Sequence, residues 1–395
     1  MRTMPADAAG GVVFVDLGAI VANWRLLCAR HPFGPVAGVV KGDGYGLGAG
    51  PVASALYAAG CRHFFVALLD EALAIRDLIP EAMLGVLGGL VPGSEAVYRA
   101  QDITPVLGSL AEIDAWRQVL TPPLLEGGGG RGRSPGTVPY DPSPQPPPSR
   151  GGGDALGAIL HIDTGMARLG LDAGELAILQ QDHARLAGID LRYIMTHLVS
   201  AEAADDPLNR HQRERFAAAC AALPPAARSF ANSSGIFLGE DFGSDLARPG
   251  AALYGINPTP GQPNPMRPVV RLMGRVLSVR EIPAGASVGY NATWQAARPS
   301  RIATVGVGYA DGWQRALSGR AQAFFDGAPV PLVGRVSMDL TTFDVTDHPA
   351  IVPGTWLELL GPNQTPDDVA AAAGTNGYEI LTALALRLPR VYQAA

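Results

Sequence analysis

Lys41 lies within VVKGDGYGLG, residues 39–48, at the end of an apolar run and before several glycines. Its amine could simply be solvated, which is the usual state of a lysine. It could also form a Schiff base with a carbonyl compound, because burial near other cations lowers the pKa of an amine and makes it nucleophilic. The glycines permit tight turns and close approach to a ligand. This stretch therefore predicts either a solvated lysine or a catalytic one.

Four further residues could serve a catalytic site, although each also has an ordinary structural role as an alternative. Tyr309 could be a buried aromatic residue with a hydrogen-bonded hydroxyl. Arg248 could form a salt bridge, and His197 could be a hydrogen-bonded core histidine. Ser233 could lie in a turn or at a helix N-cap. The residue types alone leave these alternatives open.

The composition is that of a protein with a large apolar core. Of 395 residues, 47% are hydrophobic and 17% are charged, which is sufficient for two packed domains. The net charge of −6 provides no basic surface for nucleic acid or for an anionic membrane. The three cysteines have neither the even number of a disulfide framework nor the spacing of a metal site. Because no secretory signal or membrane span is visible, we expect a cytoplasmic protein.

Apolar runs alternate with longer alanine-rich amphipathic stretches as far as residue 257. Examples of the apolar runs are AGVVK, HFFVALL, GAILHIDTG, LRYIMTHLV and ARPGAALYG. Strands that are apolar throughout, most of them followed by a helix, are typical of a parallel sheet covered on both faces. About eight such units in roughly 250 residues favour an α/β fold, a (β/α)₈ TIM-type barrel over residues 11–257. An open, doubly wound sheet is the alternative.

Two other regions depart from this alternation. Residues 258–395 contain short strands broken by Gly and Pro, which indicates a second, mostly β domain with a helix–turn–helix near its end. Residues 121–154 interrupt the barrel pattern with a stretch dominated by Pro and Gly, and we expect it to be disordered or loosely held. A lid or partner-binding arm is one interpretation, and a tolerated surface insertion is the one we favour.

The Lys41 stretch belongs to a series of motifs that resembles the alanine racemase family. KGDGYG, which begins at Lys41, is similar to the family signature KADAYGHG. The other matching motifs follow in family order over nearly the whole chain: DTGMARLG at 163–170, Thr196-His197, Asn232-Ser233-Ser234, RPGAALYGI from Arg248, VGYNATW at 288–294, VGYADGW at 307–313, GRVSMD at 334–339 and GYEIL at 377–381. Their joint occurrence is much more specific than any one of them.

The resemblance implies a pyridoxal 5′-phosphate (PLP) enzyme and a role for each matching residue. Lys41 would hold PLP as a Schiff base and then act, with Tyr309, as one of two catalytic bases on opposite faces of the substrate. Arg248 would be the partner of the pyridine nitrogen, and His197 would hydrogen-bond Arg248 and orient Tyr309. The other implied groups bind phosphate or substrate: Tyr45, Ser233, Tyr378 and the Gly250 amide for the phosphate, Arg168 and the Met338 amide for the substrate carboxylate, and Tyr290 along the substrate's route into the site.

The sequence departs from the family pattern at several of these positions. Family members often carry a carbamylated lysine just before the Asp-Thr-Gly motif, where it positions the carboxylate-binding arginine. His161 stands at that place here, so Arg168 must be held in another way, and a bound anion is one candidate. Gly42 and Gly44 replace the two alanines of the signature, and Leu47 replaces its histidine. These exchanges loosen the loop, and because glycine can relieve crowding, a substrate somewhat larger than alanine is not excluded.

The activity implied by the resemblance is interconversion of L- and D-alanine, which supplies D-alanine for peptidoglycan. The implied assembly is a head-to-tail homodimer with composite sites, to which one chain contributes the lysine and its partner the tyrosine. Three alternatives remain: a broad-specificity amino-acid racemase, a PLP-dependent decarboxylase of the same barrel class, and a non-catalytic PLP-binding protein. The first usually carries a secretory signal, the second should lack the tyrosine of VGYADGW, and the third lacks a β domain.

The composition of the insertion generates a first prediction. Replacing residues 123–152 with a short Gly/Ser linker should leave the melting temperature and most of the turnover unchanged, because little apolar surface is removed. Thermal melting and a racemase assay on the shortened and full-length chains measure both quantities. A large fall in both would show that this segment packs on the body of the enzyme or covers its site.

Overall fold

The computed structural model describes residues 8–119 and 156–394, so the predicted insertion at 121–154 lies outside the described residues. Two sheets account for most of the strands, and they divide the chain into a barrel and a second, β-rich part. Within the described ranges, no helix has the length and apolar character required to cross a bilayer.

The barrel sheet contains seven parallel strands in sequence order, β2 to β8, while the first strand, β1 (Gly11–Asp16), lies in the other sheet. The seven strands are β2 (Gly38–Val39), β3 (His63–Val66), β4 (Met83–Val86), β5 (Thr104–Leu107), β6 (Leu156–His161), β7 (Ile189–Met195) and β8 (Ala227–Ser229). Side chains from most of these strands, among them Val39, Phe65 and Met195, form one buried cluster. A cluster that draws on opposite strands is the filled interior of a barrel.

The (β/α)₈-type fold is confirmed, with one correction to the expected eight strands. The apolar run ARPGAALYG forms no eighth strand. Instead, Leu246 makes an isolated parallel bridge to Ser229, and Ala247 makes one to Val36. These two bridges connect β8 to the segment before β2. Only three residues, Arg248 to Gly250, separate Ala247 from the short 3₁₀ segment Ala251–Tyr254. This run is therefore too short to form a strand.

Helices pack outside the barrel strands, and most begin at a residue that accepts a backbone hydrogen bond. Asp16, Ser109, Asp172 and Asp206 cap four of them in this way. The α-helices of the barrel part are Leu17–Arg30, Ala49–Ala58, Leu69–Ile75, Glu95–Ala100, Leu110–Gln118, Ala173–Gln181 and Pro207–Ala221. Two more, Pro366–Ala373 and Gly377–Thr382, form the expected helical pair near the end of the chain.

The second sheet is mostly antiparallel, as expected for a β-rich domain. Its long central strand, β9 (Val270–Ile282), pairs with β1, β12 and β16. The strands after β9 are β10 (Ser287–Val288), β11 (Trp294–Gln295), β12 (Ser300–Val305), β13 (Gln322–Phe325), β14 (Ala328–Pro331), β15 (Thr341–Asp344), β16 (Trp356–Leu360) and β17 (Arg390–Gln393). Strands β10 and β11 form a separate hairpin.

The two ends of the described chain meet in this sheet. Strand β1 pairs with β9 and, in parallel, with β17, so Gly11–Asp16 lies outside the barrel although the predicted barrel begins at residue 11. Arg390 of β17 donates hydrogen bonds to the Gly46 carbonyl, with Nη2 at 2.8 Å. This contact fixes the loop after Lys41 against the second domain.

Candidate active site

A cavity of about 540 Å³ lies at the carboxyl ends of the barrel strands. Lys41 follows β2 and lines this cavity, and a count of the sequence shows that it is the only lysine among 395 residues. This rarity of lysine is a sequence signal that the motifs do not carry. The cavity brings together eight of the sequence-predicted site residues: Lys41, Tyr45, Arg168, His197, Ser233, Arg248, Gly250 and Tyr378.

The backbone after Lys41 forms a left-handed turn. Successive φ values from Gly42 to Gly46 are 63°, 52°, 62°, 55° and 80°. This conformation costs about 1–2 kcal/mol for each residue that is not glycine, here Asp43 and Tyr45. A Cβ at Gly42 would meet only a Thr382 methyl at 3.9 Å, so its glycine is explained by φ and not by crowding. The glycines therefore shape the loop that presents Lys41.

The cavity is rich in positive charge. Burial lowers the pKa of Lys41, and the charges of Arg168 and Arg248 lower it further, against an opposing effect of Glu71. Burial, together with Arg248, also lowers the pKa of His197 to about 3. His197 is therefore uncharged at neutral pH, and a larger fraction of Lys41 is neutral than in water. Both residues line the cavity together with the two arginines.

Arg248 is 5% exposed and has no carboxylate partner in the part of the chain that the structure describes. It donates to the Ser229 hydroxyl and, through Nη2 at 2.6 Å, to the Thr196 carbonyl. Burial lowers its pKa to about 10, so it stays charged at neutral pH. Among the described residues these are its side-chain hydrogen bonds, and the expected one to His197 is not found. Three of its five N–H donors are left for a ligand. A buried guanidinium that lines a cavity fits a ligand with an acceptor nitrogen or an anionic group.

Three hydroxyl groups of the cavity fit a phosphate. The Ser233 Oγ accepts N–H bonds from Gly250 at 3.0 Å and Ala252 at 3.1 Å, which leaves its own hydrogen to donate. The predicted Gly250 donor is thus engaged by Ser233. Tyr45 stacks on Tyr254 at 4.6 Å, and a Cβ on Gly250 would lie 2.1 Å from the Tyr45 hydroxyl. Tyr378 lies in the first turn of the helix Gly377–Thr382. The described residues therefore fit PLP, whose phosphate and ring need such donors.

Tyr309 and Met338 lie outside this cavity, on the second domain. The Tyr309 N–H donates to the Ser337 carbonyl at 3.0 Å, and the next amide donates to the Met338 carbonyl at 2.9 Å, so the two residues are neighbours. The turn is anchored by buried Asp311, which accepts two hydrogen bonds from Arg387. The Tyr309 and Met338 side chains are 42% and 55% exposed. Tyr290 is also exposed, so one chain does not assemble all the predicted groups.

His161 and Arg168 share a smaller cavity of about 250 Å³ beside the main one. Burial and the charge of Arg248 lower the pKa of His161 to about 4, so its ring is neutral at ordinary pH. The Arg168 guanidinium donates no hydrogen bond to any described residue. Its loop is held instead by Asp163, whose carboxylate accepts backbone N–H bonds from residues 165, 166 and 167.

The fold and the site together define a PLP-dependent enzyme with a TIM-type barrel and a mostly β second domain. The chain belongs to the alanine racemase family: the model of the alanine racemase N-terminal domain matches residues 15–258, and that of the C-terminal domain matches residues 269–392. Members of this family are isomerases, and the predicted family, cofactor and enzyme class are confirmed.

Individual relatives agree with this assignment. An alanine racemase of Acidiphilium cryptum is 54% identical over 96% of this chain and 98% of its own length. A catabolic alanine racemase of Mesorhizobium japonicum is 44% identical over 98% of this chain and 94% of its own length. The crystal structure of alanine racemase from Bartonella henselae, with covalently bound pyridoxal phosphate, has a TM-score of 0.86 and 37% identity, and covers 98% of this chain and 100% of that one.

The position of Lys41 generates a second prediction. Borohydride treatment of the purified protein with PLP should fix one PLP per chain on Lys41, because it is the only side-chain amine and lines the cavity. Peptide mapping by mass spectrometry locates the label, with Lys41→Arg as the control. A label on the N-terminal amine alone, or equal labelling of the control, would overturn the assignment.

Proposed function

We propose that Lys41 and Tyr309 exchange the Cα proton of alanine on opposite faces, in a homodimer whose sites each draw on both chains. The observation that carries this proposal is the position of the only lysine, which lines a cavity beside Arg168 and Arg248. The activity itself, alanine racemisation, is that of the family. The roles proposed for individual residues rest on their positions in and around this cavity.

Two proton-transfer groups suffice to invert the configuration of an amino acid. PLP, when bound, delocalises the negative charge that remains at Cα after a proton is removed. Lys41 takes the proton on one face, because burial and neighbouring arginines favour its neutral amine. Tyr309 gives a proton to the other face. In the opposite direction the two residues exchange these roles, so both enantiomers are substrates.

Other cavity residues would hold the cofactor. Arg248 would donate to the pyridine nitrogen, and Tyr45, Ser233 and Tyr378 would bind the phosphate. Because a guanidinium keeps its proton, the ring nitrogen would receive a hydrogen bond and no proton. With the nitrogen unprotonated, the ring would withdraw fewer electrons, and this would limit side reactions such as transamination. His197 would act beside Arg248 as a neutral ring that orients Tyr309.

The substrate carboxylate would lie between Arg168 and the Met338 amide. The Met338 N–H makes no hydrogen bond within the described residues, so it is available to an anion. The glycines of the lysine loop offer little additional space for a larger side chain. An alanine methyl at position 44 would lie against the backbone nitrogen of Ala49, 3.1 Å away, and not in the cavity. An alanine methyl at position 42 would take up a small part of the cavity, which Gly42 lines. Glycine at these two positions therefore adds at most about one methyl group of space to the cavity.

The exposed position of Tyr309 supports a head-to-tail dimer. Tyr309, Tyr290 and Met338 do not line the cavity of their own chain. A two-fold axis that brings the second domain of one chain over the barrel of the other would complete both sites at once and cover these exposed side chains. The dimer is therefore part of the proposed catalytic machinery.

We further propose that the activity supplies D-alanine for peptidoglycan. Relatives include racemases named catabolic, so supply and breakdown must be distinguished. Deleting the gene in the source organism should make growth depend on added D-alanine. Growth without D-alanine, combined with failure to grow on alanine as the carbon source, would assign a catabolic role.

A mixing experiment tests the composite site. Lys41→Ala and Tyr309→Phe should each be nearly inactive, because each lacks one proton-transfer group. Unfolding and refolding an equal mixture makes about half of the dimers mixed, and each mixed dimer has one site with neither change. Activity should recover to about a quarter of the wild-type value. Each variant refolded alone is the control, and mass spectrometry confirms the mixed dimers. No recovery in a sample that contains them would place both residues of a site on one chain.

A further inference from the structure

Glu71 joins the two loops that follow the first two barrel strands. Its Oε1 accepts N–H bonds from Gly42 at 2.5 Å and Asp43 at 3.3 Å. Its Oε2 accepts N–H bonds from Ala67 at 2.8 Å and Leu68 at 3.1 Å. One half-buried carboxylate therefore serves four backbone amides. Two of them belong to the left-handed turn after Lys41, and two belong to the loop after β3.

The turn after Lys41 cannot satisfy its first amides internally. Its own hydrogen bonds run from the Gly44 N–H to the Val40 carbonyl and from the Gly46 N–H to the Gly42 carbonyl, both 2.8 Å long. The N–H groups of Gly42 and Asp43 have Glu71 as their acceptor. Since Asp43 and Tyr45 hold a φ that is unfavourable for residues other than glycine, an external acceptor for these amides favours this conformation.

We propose that Glu71 is a positioning residue for Lys41: its carboxylate holds the left-handed turn against the loop after β3 and thereby fixes the lysine amine in the cavity. This proposal rests on the proposed role of Lys41 as the lysine that captures PLP. Glu71 does not touch the reacting atoms. It acts through the backbone of the residue next to Lys41.

The charge of Glu71 has a second effect on the same amine. Lys41 shares the cavity wall with the cationic groups of Arg168 and Arg248, the neutral ring of His197 and the carboxylate of Glu202. Glu71 opposes the two arginines by raising the pKa of Lys41. Its removal should therefore lower the pH at which Lys41 loses its proton. A residue that only stabilised the fold would not shift that pH.

Glu175 offers a matched control. It occupies the same place in its helix, the third residue after the N-cap Asp172, just as Glu71 is the third residue after Leu68. Its Oε1 accepts one N–H bond, from Leu110 at 3.0 Å, and so connects to a neighbouring barrel loop. Glu175 does not line the cavity. Glu175→Gln removes the same charge from the same kind of contact at a distance from Lys41.

The test compares Glu71→Gln and Glu175→Gln with the wild type, as full-length protein freed of PLP. An amide side chain presents one acceptor oxygen in place of two, so Glu71→Gln cannot serve both loops. We expect faster hydrogen exchange of the amides in residues 42–45, about tenfold weaker PLP binding, and a lower midpoint pH for PLP capture. Glu175→Gln should match the wild type in all three. If Glu71→Gln does not fold, Glu71→Asp replaces it. The aspartate side chain is shorter but keeps the charge, so it should loosen the turn and leave the midpoint pH for PLP capture nearly unchanged.

Two results would overturn the proposal. The first is a Glu71→Gln protein with exchange and PLP capture equal to those of Glu175→Gln. The second is faster exchange in residues 42–45 with unchanged PLP affinity and midpoint, which would make Glu71 a structural residue only. Failure of the wild type to capture PLP on Lys41 would contradict the proposed function, and hence the role assigned to Glu71. The wild-type sample alone reveals such a failure, whereas the two results above are seen only in Glu71→Gln.

Discussion

The constraint on which this site depends is that one amine must be without its proton while two guanidinium groups lie near it. A lysine in water is protonated at neutral pH and is neither a nucleophile nor a base. Burial lowers the pKa of Lys41, and Arg168 and Arg248 add to this effect. The same arginines suit an anionic cofactor and a carboxylate substrate, so in the proposed function the groups that prepare the lysine would also bind its partners.

Much of the surrounding architecture meets this constraint. The barrel brings loops from several strands to one cavity, and the left-handed turn holds Lys41 at its edge. Arg390 in the last strand fixes Gly46, so the second domain supports the lysine loop of its own chain. The same domain exposes Tyr309 on a turn anchored by Asp311 and Arg387. We interpret the second domain as supporting one site and completing another.

Local pattern predicted the barrel, the β domain and the helical pair, because each depends on periodicity and on turn residues that the sequence shows directly. The motifs also selected eight residues that the fold places around one cavity. The missing eighth strand was not predictable in this way: Leu246 and Ala247 connect the two ends of the sheet with single bridges that leave no alternation. The position of β1 in the second sheet was missed for a different reason: its partners lie more than 250 residues away. Glu71 escaped notice because its four bonds reach backbone amides, which carry no sequence signature.

Because the chain has only one lysine, the protonation of that amine can be followed without overlap from others. The most direct test is a ¹³C NMR titration of the full-length, PLP-free protein after reductive ¹³C-methylation, with Lys41→Arg to identify the N-terminal signal. The account predicts that the Lys41 signal titrates clearly below the ordinary lysine pKa of 10.5. A pKa at or above that value would contradict it, because the arginines would then not be preparing the amine for capture of the cofactor.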